Sequence, residues 1–528
     1  MTIIVGQVII ILYRTTKTEF GGKRMLYKKN IQKTLSDDLF RNPTSEYRGT
    51  PFWSWNCKMT PELLEKQIGY LKEMGFGGFH MHSRHGMDNE YLSDEFMSLV
   101  RACTDKAKSE EMLAWLYDED KWPSGFAGGL VTKEPKYRQR QLVIVPPEMV
   151  RQISEYDEGA PDAENHLDLS DELSPAEAFE QGKPYYIATF DLIFDKDGYL
   201  VSYKKIGRKS RAKGIKRHVF CRCEPCTDWF NGYTYVDTLS KKATERFIEV
   251  THETYKRWVG DEFDKAVPAI FTDEPQHTFV NTLISHDAKI VLTAPWTYDL
   301  PKTYKKAYGE DIIATLPEIF WDLPHNKPSL TRYRYHDHVC QRMSDAFMAL
   351  CGRWCEKNGI KLTGHLMGED TLYMQTWTVG EVMRNYKHFG YVGIDMLRNK
   401  VELTTAKQAQ SVTRQYGKEA IISEMYGITT EWGNGGYLDL DYSSNYVSWE
   451  DNSLVVYHGA TPGFEIIPYT GCVIDTVLID GVENAQAKED GYYQFPAITD
   501  NSHSIEVTFK REAYHVDFWW DSHGTVQT

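Results

Sequence analysis

The chain has 528 residues, of which 41% are hydrophobic, so it is long enough to bury a large core and to form several domains. Its formal net charge of −15 argues against nucleic acid as a partner, because phosphate binding requires a basic surface. The nine cysteines are scattered, which excludes a disulfide scaffold and is typical of a reducing compartment.

The N-terminal segment begins with an apolar run over residues 3–13, which is too short to span a bilayer and lacks the flanks of a signal peptide. From Met25 onward the sequence has the character of an ordinary soluble protein. We therefore expect residues 1–24 to be an upstream or non-native extension, Met25 to be the initiator, and the protein to be cytoplasmic, with no membrane partner.

The next part of the chain alternates short apolar runs with amphipathic helical patterns, which predicts a parallel α/β architecture. The first four predicted strands are PFWSWN (51–56), FHMHSR (79–84), LAWLYDED (113–120) and VPAIFTDEP (267–275). Helices are predicted over about 60–74, 94–112 and 240–260. Residues 137–235 carry alternating β-type runs and are interpreted as a β-rich insertion.

A long loop is predicted over 276–330, followed by a helix over about 331–358. The last three predicted strands are IKLTGHLMGED (360–370), YVGIDML (391–397) and EAIISEMYG (419–427), with helices near 376–389 and 402–416 between them. Seven strand–helix units in this order predict a TIM-type (β/α) barrel, whose chemistry lies at the C-terminal ends of the strands.

The barrel pattern stops after Trp432, where neither a seventh helix nor an eighth strand follows. The barrel is therefore expected to be incomplete at its eighth unit, with an open edge beside the seventh strand. Short runs separated by turn residues predict a C-terminal all-β module of the sandwich type. The expected domains are 25–136 and 236–435 for the two parts of the barrel, 137–235 for the insertion and 436–528 for the module.

Acidic residues concentrate where the predicted strands end. They are Asp118, Glu119, Asp120, Asp273, Glu274, Glu369, Asp370, Asp395 and Glu424. Clustering acidic residues costs free energy through desolvation and mutual repulsion. Their placement at several strand ends therefore favours a functional role, although any single one could be a salt-bridge partner. Glycoside hydrolysis needs two carboxyl groups on opposite sides of a sugar. Because strands four and seven face each other across a barrel mouth, we predict Glu274 and Glu424 as the catalytic pair.

Histidines and aromatic residues add to the candidate site. His80 and His82 alternate on one face of a strand, with Arg84 on the same side. They are interpreted as partners of sugar hydroxyls or of a catalytic acid, with a metal site or a structural network as alternatives. The full set of predicted substrate-binding residues is Trp53, Trp55, Asn56, His80, His82, Arg84, Asp118, Glu119, Asp120, Trp122, Asp273, His365, Glu369, Asp395 and Tyr426.

Six motifs carry a resemblance to a known family. They are PFWSWN, GGFHMHSRHGM, AWLYDEDKWPSGFAGG, WFNGYTYVD, FTDEP and SEMYG. In this order they resemble the large bacterial proteins related to glycoside hydrolase family 106, which are α-L-rhamnosidases and their relatives. The resemblance implies a TIM-barrel domain that hydrolyses rhamnosides with inversion, with Glu274 as general acid and Glu424 as general base. It also implies a possible calcium ion at the sugar site.

The leading prediction is therefore an exo-acting glycoside hydrolase with a carbohydrate substrate and no cofactor required by the sequence. One alternative is a metal-dependent TIM-barrel hydrolase that uses His80, His82 and His365. Another is a catalytically inactive, carbohydrate-binding relative, which the missing eighth unit makes plausible.

Overall fold

The computed structural model of the protein describes residues 6–11, 37–150, 173–396, 403–425, 436–440, 446–450, 453–456, 459–468, 472–499 and 503–511. The chain forms two compact units, residues 1–428 and 429–528. No helix within the described ranges is both long enough and apolar enough to cross a membrane.

The first unit is a mixed α/β structure built on a large sheet. Its strands, in chain order, are β1 (Gly6–Ile11), β2 (Thr50–Trp55), β3 (Gly78–Ser83), β4 (Leu113–Tyr117), β5 (Arg140–Val145), β6 (Tyr185–Phe194), β7 (Leu200–Ile206), β8 (Ile215–Cys223), β9 (Ala269–Asp273), β10 (Leu292–Pro295), β11 (Lys361–His365), β12 (Tyr391–Met396) and β13 (Ala420–Met425). Eight of them form one sheet in the order β11-β9-β4-β3-β2-β1-β13-β12. Neighbouring strands in this sheet pair in parallel, except in the two pairings that β1 makes.

The parallel strands are buried on both faces, which is typical of strands covered by helices on one side and by core on the other. Every residue of β3, β4 and β9 is buried. The inner face is aromatic, because Phe52, Trp115, Tyr117 and Phe271 belong to one core cluster.

Helices connect most of these strands. In chain order they are α1 (Asp37–Arg41), α2 (Pro61–Glu73), α3 (Asp94–Ser109), α4 (Pro175–Gln181), α5 (Lys241–Val250), α6 (His252–Val259), α7 (Leu300–Tyr308), α8 (Ile312–Thr315), α9 (Pro317–Phe320), α10 (Leu330–Met343), α11 (Ala349–Asn358), α12 (Leu372–Thr378), α13 (Val382–Tyr386) and α14 (Leu403–Tyr416). Helix α2 begins where the sequence predicts, because the Thr60 side chain accepts the Leu63 N–H and Pro61 occupies the first helical position.

Two of the predicted helices are interrupted. The helix predicted over 240–260 divides into α5 and α6 at Thr251, whose hydroxyl donates to the Phe247 carbonyl. The helix predicted over 331–358 contains a π-helical turn at Ser344–Met348. Both interruptions depend on local hydrogen bonding that the hydrophobic period does not encode.

Two other predictions differ from the structure. The helix predicted near 376–389 divides into α12 and α13 around Gly380, which has φ +83°. The loop predicted over 276–330 contains β10, α7, α8 and α9. These elements are short, and segments of that length contain too few residues for a hydrophobic repeat to be recognised in the sequence.

The N-terminal strand β1 lies between β13 and β2. It pairs antiparallel with both, with Ile9 opposite Ser423 and Gly6 opposite Phe52. The expectation of an open edge beside the seventh parallel strand is therefore wrong, because β1 supplies the missing backbone partners. The assignment of residues 1–24 to an upstream extension stays a prediction.

The two end strands of the sheet, β11 and β12, lie close to each other. The Gly390 N–H, just before β12, donates to the Leu362 carbonyl at 2.8 Å. A Cβ atom built on Gly393 would lie 1.9 Å from the Gly364 carbonyl oxygen. Glycine at 393 thus permits a backbone approach that no side chain would allow.

We expect Gly393→Ala to destabilise the first unit strongly. Its methyl group would meet backbone at 1.9 Å, which the neighbouring strand can relieve only by moving. Overpacking of this kind costs about 1–3 kcal/mol or more. The midpoint of thermal unfolding measures the effect.

The matched control for that substitution is Gly69→Ala in helix α2. A Cβ atom at Gly69 meets nothing within 4 Å, and alanine favours a helix interior by about 0.5–1 kcal/mol over glycine. Equal unfolding midpoints for Gly393→Ala and the parent would contradict the close approach of β11 and β12.

The insertion forms a second, antiparallel sheet. Its order is β10-β5-β8-β6-β7. The edge strand β10 comes from the segment predicted as a loop and pairs with β5, placing Ala294 opposite Leu142. The core of this sheet includes Val143, Val145 and Phe220.

The second unit consists of short strands and one short helix in the part that the structure describes. The strands are β14 (Gly436–Leu440), β15 (Tyr446–Glu450), β16 (Ser453–Val456), β17 (Gly463–Pro468), β18 (Cys472–Ile479), β19 (Val482–Glu483), β20 (Tyr492–Gln494) and β21 (Ile505–Arg511), and the helix is α15 (Ala485–Asp490). They form sheets in the orders β14-β17-β20, β15-β16 and β19-β18-β21. Leu440, Phe464 and Phe495 pack in one of its core clusters.

Candidate active site

Five side chains meet at the C-terminal edge of the parallel strands, and we call them the acidic cluster: Asp273, Glu274, His365, Asp395 and Glu424. Asp273 and His365 end β9 and β11, and Glu274 follows Asp273. The strand registers place His365 beside Asp273 and Asp395 beside Glu424. Parallel strands end at the same edge of a sheet, which is why residues far apart in sequence come together here.

His365 lies at the centre of the acidic cluster. Its Nε2 is 3.1 Å from Asp273 Oδ1 and 3.6 Å from Glu424 Oε2. A ring nitrogen of His365 and one carboxyl oxygen each of Glu274 and Asp395 also lie within 4.8 Å of one another. The imidazole is therefore close to all four carboxyl groups.

His365 and Asp273 form an ion pair. Burial would lower the pKa of His365, but the hydrogen bond to Asp273 and the charges of the surrounding carboxylates raise it well above its usual value. Burial would likewise raise the pKa of Asp273, but the hydrogen bond from His365 and the nearby His82 imidazole hold it below its usual range. At neutral pH the pair is imidazolium and carboxylate.

Glu274 and Glu424 have raised pKa values. Burial, together with the charges of Asp273 and Asp395, raises the pKa of Glu274 to about 8, against the opposing charge of His365. Burial and the charges of the other carboxylates, including Glu274, raise the pKa of Glu424 well above its usual range. Since each carboxylate disfavours ionisation of the other, we infer that at least one of the two holds a proton near neutral pH.

The backbone of Glu274 is strained. Its φ is +44°, a region that non-glycine residues rarely adopt. Its N–H donates to the His365 carbonyl at 3.2 Å, and the Trp122 indole N–H donates to Glu274 Oε2. Such strain persists only where surrounding contacts over-determine a position, and it concentrates at functional sites. The side chain of Glu274 is only half-buried, so it remains accessible.

Two residues that the sequence analysis did not single out hold Asp273 in place. The Tyr117 hydroxyl donates to Asp273 Oδ2 at 2.7 Å. The Asp273 N–H donates to Ser124 Oγ at 2.8 Å, and the Ser124 N–H donates to the Asp273 carbonyl at 2.7 Å. Tyr117 lies two residues from Trp115 on the inner face of β4, so strand alternation could have found it. We see no sequence signal for Ser124.

Glu119 organises the loop after β4. It is fully buried. Its carboxylate accepts backbone N–H groups at 2.7–2.8 Å from Asp120, Gly125, Ala127 and Gly128. Because four donors occupy its two oxygens, Glu119 belongs to the frame of the loop, and the expectation of a direct substrate contact is corrected.

Asp118 is also fully buried, on the side of β4 that faces the helices. It lies close enough to Cys351 and Cys355 of α11 for its ionised form to raise the pKa values of both thiols. Burial raises the pKa of Asp118 to about 8, against the effect of the nearby hydroxyl groups of Ser124 and Thr272. Its predicted contact with substrate is therefore corrected as well, since the carboxyl group does not reach the surface.

We expect Asp118 to make the parent less stable as the pH rises. The folded protein keeps a proton that the unfolded chain releases near pH 4, so stability falls between about pH 4 and pH 8. Asp118→Asn removes this loss, and its stability relative to the parent should rise by several kcal/mol between pH 5 and pH 9 (roughly 1.4 kcal/mol per unit of pKa shift). Denaturant midpoints at pH 5, 7 and 9 measure the difference.

The control is Asp105→Asn, which changes a carboxylate whose side chain is 54% exposed. It shows how the loss of one exposed carboxylate affects the midpoints at the same three pH values. If the stabilities of Asp118→Asn and the parent changed with pH in the same way, a buried proton at Asp118 would be contradicted.

Glu369 lies behind the acidic cluster and is buried. The Tyr386 hydroxyl donates to Oε2, and the Asp395 N–H donates to Oε1 at 2.6 Å. Burial raises the pKa of Glu369 to about 7, against the charge of His365. Glu369 thus holds the backbone of Asp395 in position.

His80 belongs to the core of the sheet. It is fully buried, its Nδ1 is 3.2 Å from the Thr50 carbonyl, and its ring stacks on Trp115 with centroids 5.1 Å apart. Burial lowers its pKa to about 3, so it is neutral at physiological pH. The expectation that it contacts substrate is corrected, because the aromatic core encloses it.

His82, by contrast, borders the acidic cluster. Its Nε2 is 3.9 Å from Asp273 Oδ2, and its ring lies over Tyr117 with centroids 3.8 Å apart. Burial lowers its pKa, against the attraction of the Asp273 carboxylate. Arg84, one residue beyond β3, is exposed.

Trp53 and Trp55 lie on the face of β2 that is turned away from Phe52. The Trp53 indole N–H donates to Gln67 Oε1 in α2 at 2.6 Å, and Trp55 packs on Phe96 in α3 with centroids 5.5 Å apart. Both are buried. They pack the sheet against helices, which corrects the expectation that they bind substrate.

The remaining predicted residues occupy different positions. Asn56 is exposed at the end of β2, and Trp122 is half-buried beside Glu274. Asp120 is half-buried and accepts an amide hydrogen bond from Asn231 at 3.2 Å. Tyr426 lies outside the described residues.

The acidic cluster does not fit calcium. The two groups whose ligand atoms approach within 4.8 Å are Asp273–His365–Glu424 and Glu274–His365–Asp395. Calcium takes about six to eight oxygen ligands, whereas each group offers only two carboxyl groups and one ring nitrogen. Within the described part of the chain, neither group includes His80 or His82, so the alternative of a metal site on these two histidines gains no support.

Solved structures that are similar to this chain include a rhamnosidase and a β-amylase. A rhamnosidase from Novosphingobium sp. PP1Y is 13% identical with a TM-score of 0.45, over 72% of this chain and 52% of that one. The catalytic domain of a β-amylase from Paenibacillus polymyxa is 9% identical with a TM-score of 0.33, over 70% of this chain and 84% of that one. This chain thus spans about half the length of the rhamnosidase. No protein-family model and no curated protein matches the sequence. At these identities and TM-scores, neither likeness identifies an activity.

Proposed function

We propose that the chain is a glycoside hydrolase in which Glu274 protonates the leaving-group oxygen and Glu424 acts as the base. The acidic cluster carries this proposal, because it brings two carboxyl groups of raised pKa beside one imidazolium at the strand ends. Hydrolysis of a glycoside requires one protonated and one ionised carboxyl group at the same time. Mutual repulsion between two carboxylates provides that division.

The assignment of the two roles rests on the motif resemblance to family 106. His365 Nε2 is 3.6 Å from Glu424 Oε2, and the charge of His365 lowers the pKa of both Glu424 and Glu274. Glu274 has a pKa of about 8 and therefore carries a proton at neutral pH, as a general acid must. The Trp122 N–H occupies Glu274 Oε2, which leaves Oε1 to carry that proton toward the leaving group.

The proposal includes a closed TIM-type barrel in which β1 takes the place of the eighth parallel strand. Its support is the pairing of β1 with both β13 and β2, and the hydrogen bond from Gly390 to Leu362 that links the regions of β12 and β11. Closure would set β9 and β13 across one mouth, as a carboxylate pair requires.

The finer assignment, an exo-acting α-L-rhamnosidase that inverts the anomeric carbon, rests on the motif resemblance to family 106. Inverting enzymes hold their two carboxyl groups about 6.5–9.5 Å apart, so that a water molecule fits between sugar and base. The anomer of the first-formed product therefore tests this part of the proposal independently of the sugar.

A panel of p-nitrophenyl glycosides, with the α-L-rhamnoside included, tests the function. We expect turnover of at least one member and, by proton NMR of early product, an inverted anomeric centre. A retained centre would overturn inversion alone. Binding without turnover of any sugar would overturn hydrolysis and indicate a carbohydrate-binding relative.

A further inference from the structure

Trp229 is an exposed tryptophan near the acidic cluster. It lies in the turn Asp228–Phe230, within the WFNGYTYVD motif, and its side chain is 44% exposed. Single exposed apolar residues are common on protein surfaces and need no function. Trp229 differs from that ordinary case because its surroundings hold it in one orientation.

Three contacts fix the Trp229 indole. Its N–H donates to the Trp122 carbonyl at 2.8 Å, and its ring meets the Trp122 ring edge to face with centroids 6.0 Å apart. The Lys121 ammonium lies 5.6 Å from the centre of the Trp229 ring. Lys121 is itself held by a 2.8 Å hydrogen bond to Asn231 Oδ1.

The turn beneath Trp229 is anchored in the fold. Phe230 packs on Phe126 with ring centroids 5.1 Å apart, and the Thr227 N–H donates to the Tyr233 carbonyl at 2.9 Å. A ligand that stacks on Trp229 therefore meets a surface that is already ordered and pays little conformational entropy for it.

Trp122 connects this surface to the chemistry. Its side chain donates to Glu274, and its backbone carbonyl accepts from Trp229. Trp229 is thus one residue removed from the carboxyl group that protonates the leaving oxygen. The side of the substrate next to Glu274 is the side that departs.

We propose that Trp229 binds the leaving group of the substrate, by stacking its indole on the apolar face of an aromatic or glycosyl group attached to the departing oxygen. This inference rests on the proposed function, because the role of Glu274 decides which side of the substrate Trp229 meets. Indole faces attract such apolar surfaces through dispersion and burial.

The test compares two ligands that share a sugar and differ in the leaving group: the p-nitrophenyl glycoside that the parent hydrolyses fastest, and its methyl glycoside. We expect Trp229→Ala to raise KM for the p-nitrophenyl glycoside by about 3- to 10-fold, the range of aromatic stacking. The inhibition constant of the methyl glycoside should change less than about 2-fold, because its leaving group offers no face to stack on.

Trp229→Phe and Tyr70→Ala are the controls. Phenylalanine keeps a stacking face, so Trp229→Phe should restore most of the affinity even though it lacks the N–H to Trp122. Tyr70 in α2 is 49% exposed and has the Lys66 ammonium 5.8 Å from its ring centre, so it reproduces the exposed aromatic–lysine pair elsewhere. Tyr70→Ala should leave both constants unchanged.

Each outcome separates this inference from the proposed function. If the parent turns over substrate but Trp229→Ala weakens binding of both ligands equally, or of neither, then the stacking role of Trp229 is overturned and the proposed function is not. If the parent hydrolyses nothing, binding of p-nitrophenyl glycosides is measured by calorimetric titration. Weaker binding by Trp229→Ala would support stacking on Trp229 without hydrolysis. Unchanged binding by Trp229→Ala would overturn the stacking role as well.

Discussion

Glu274→Gln is expected to lower kcat/KM by about 10²–10⁴-fold on a glycoside with a poor leaving group. The reason is the proton that the raised pKa keeps on Glu274 at neutral pH, which glutamine cannot transfer. On a p-nitrophenyl or dinitrophenyl glycoside the loss should be much smaller, because those oxygens depart without protonation. Initial rates on an alkyl and an aryl glycoside of the same sugar measure the contrast.

Glu424→Gln should lower the rates on the alkyl and the aryl glycoside to a similar extent, because water must be activated whichever group departs. Glu224→Gln is the matched control: burial raises the pKa of this carboxyl in the insertion to about 7, but it lies outside the acidic cluster. If Glu424→Gln, and not Glu274→Gln, lost more activity on the alkyl glycoside than on the aryl glycoside, then Glu424 would be the acid and Glu274 the base. Full activity in both variants would remove the carboxylate pair from the mechanism.

His365→Gln is expected to shift the acidic limb of the pH–rate profile upward by about 1–3 pH units, the effect of one opposite charge at this range. His365 places a positive charge 3.6 Å from Glu424 and 3.1 Å from Asp273. Without that charge the pKa of the base rises, so the base ionises only at higher pH and activity at neutral pH falls. Profiles of kcat/KM between pH 4 and pH 9 measure the shift.

His252→Gln controls for the loss of a buried histidine. His252 is fully buried, and its Nδ1 is 2.7 Å from Thr251 Oγ1, away from the acidic cluster. It should alter stability without moving the limb. If the acidic limb of the pH–rate profile did not move in His365→Gln, an electrostatic role for His365 would be contradicted and only a packing role would be left.

Much of the site follows from the order of residues alone. The sequence predicts Asp273, Glu274, Asp395 and Glu424 at strand ends and His365 on the fifth strand, and the structure brings all five together. Apolar runs alternating with helical patterns predict parallel strands, and the C-terminal ends of parallel strands meet at one edge whatever loops intervene.

Which face a residue occupies was decided only by the tertiary structure. The sequence shows that Trp53 and Trp55 share a face of β2, but their position against α2 and α3 depends on where the helices pack. Glu119 looked like its acidic neighbours, yet four backbone N–H groups of the following loop enclose it. Loop backbone positions are set by contacts that no period describes.

The sequence by itself therefore determined the parallel α/β class and the edge at which the acidic residues gather, since both depend on local periodicity and on chain direction. The tertiary structure decided the pairing of β1, the burial of Asp118 and the charge states of His365, Glu274 and Glu424. Each of these depends on distances between segments far apart in the chain, and hydrogen bonding, desolvation and Coulomb energy all change steeply with such distances.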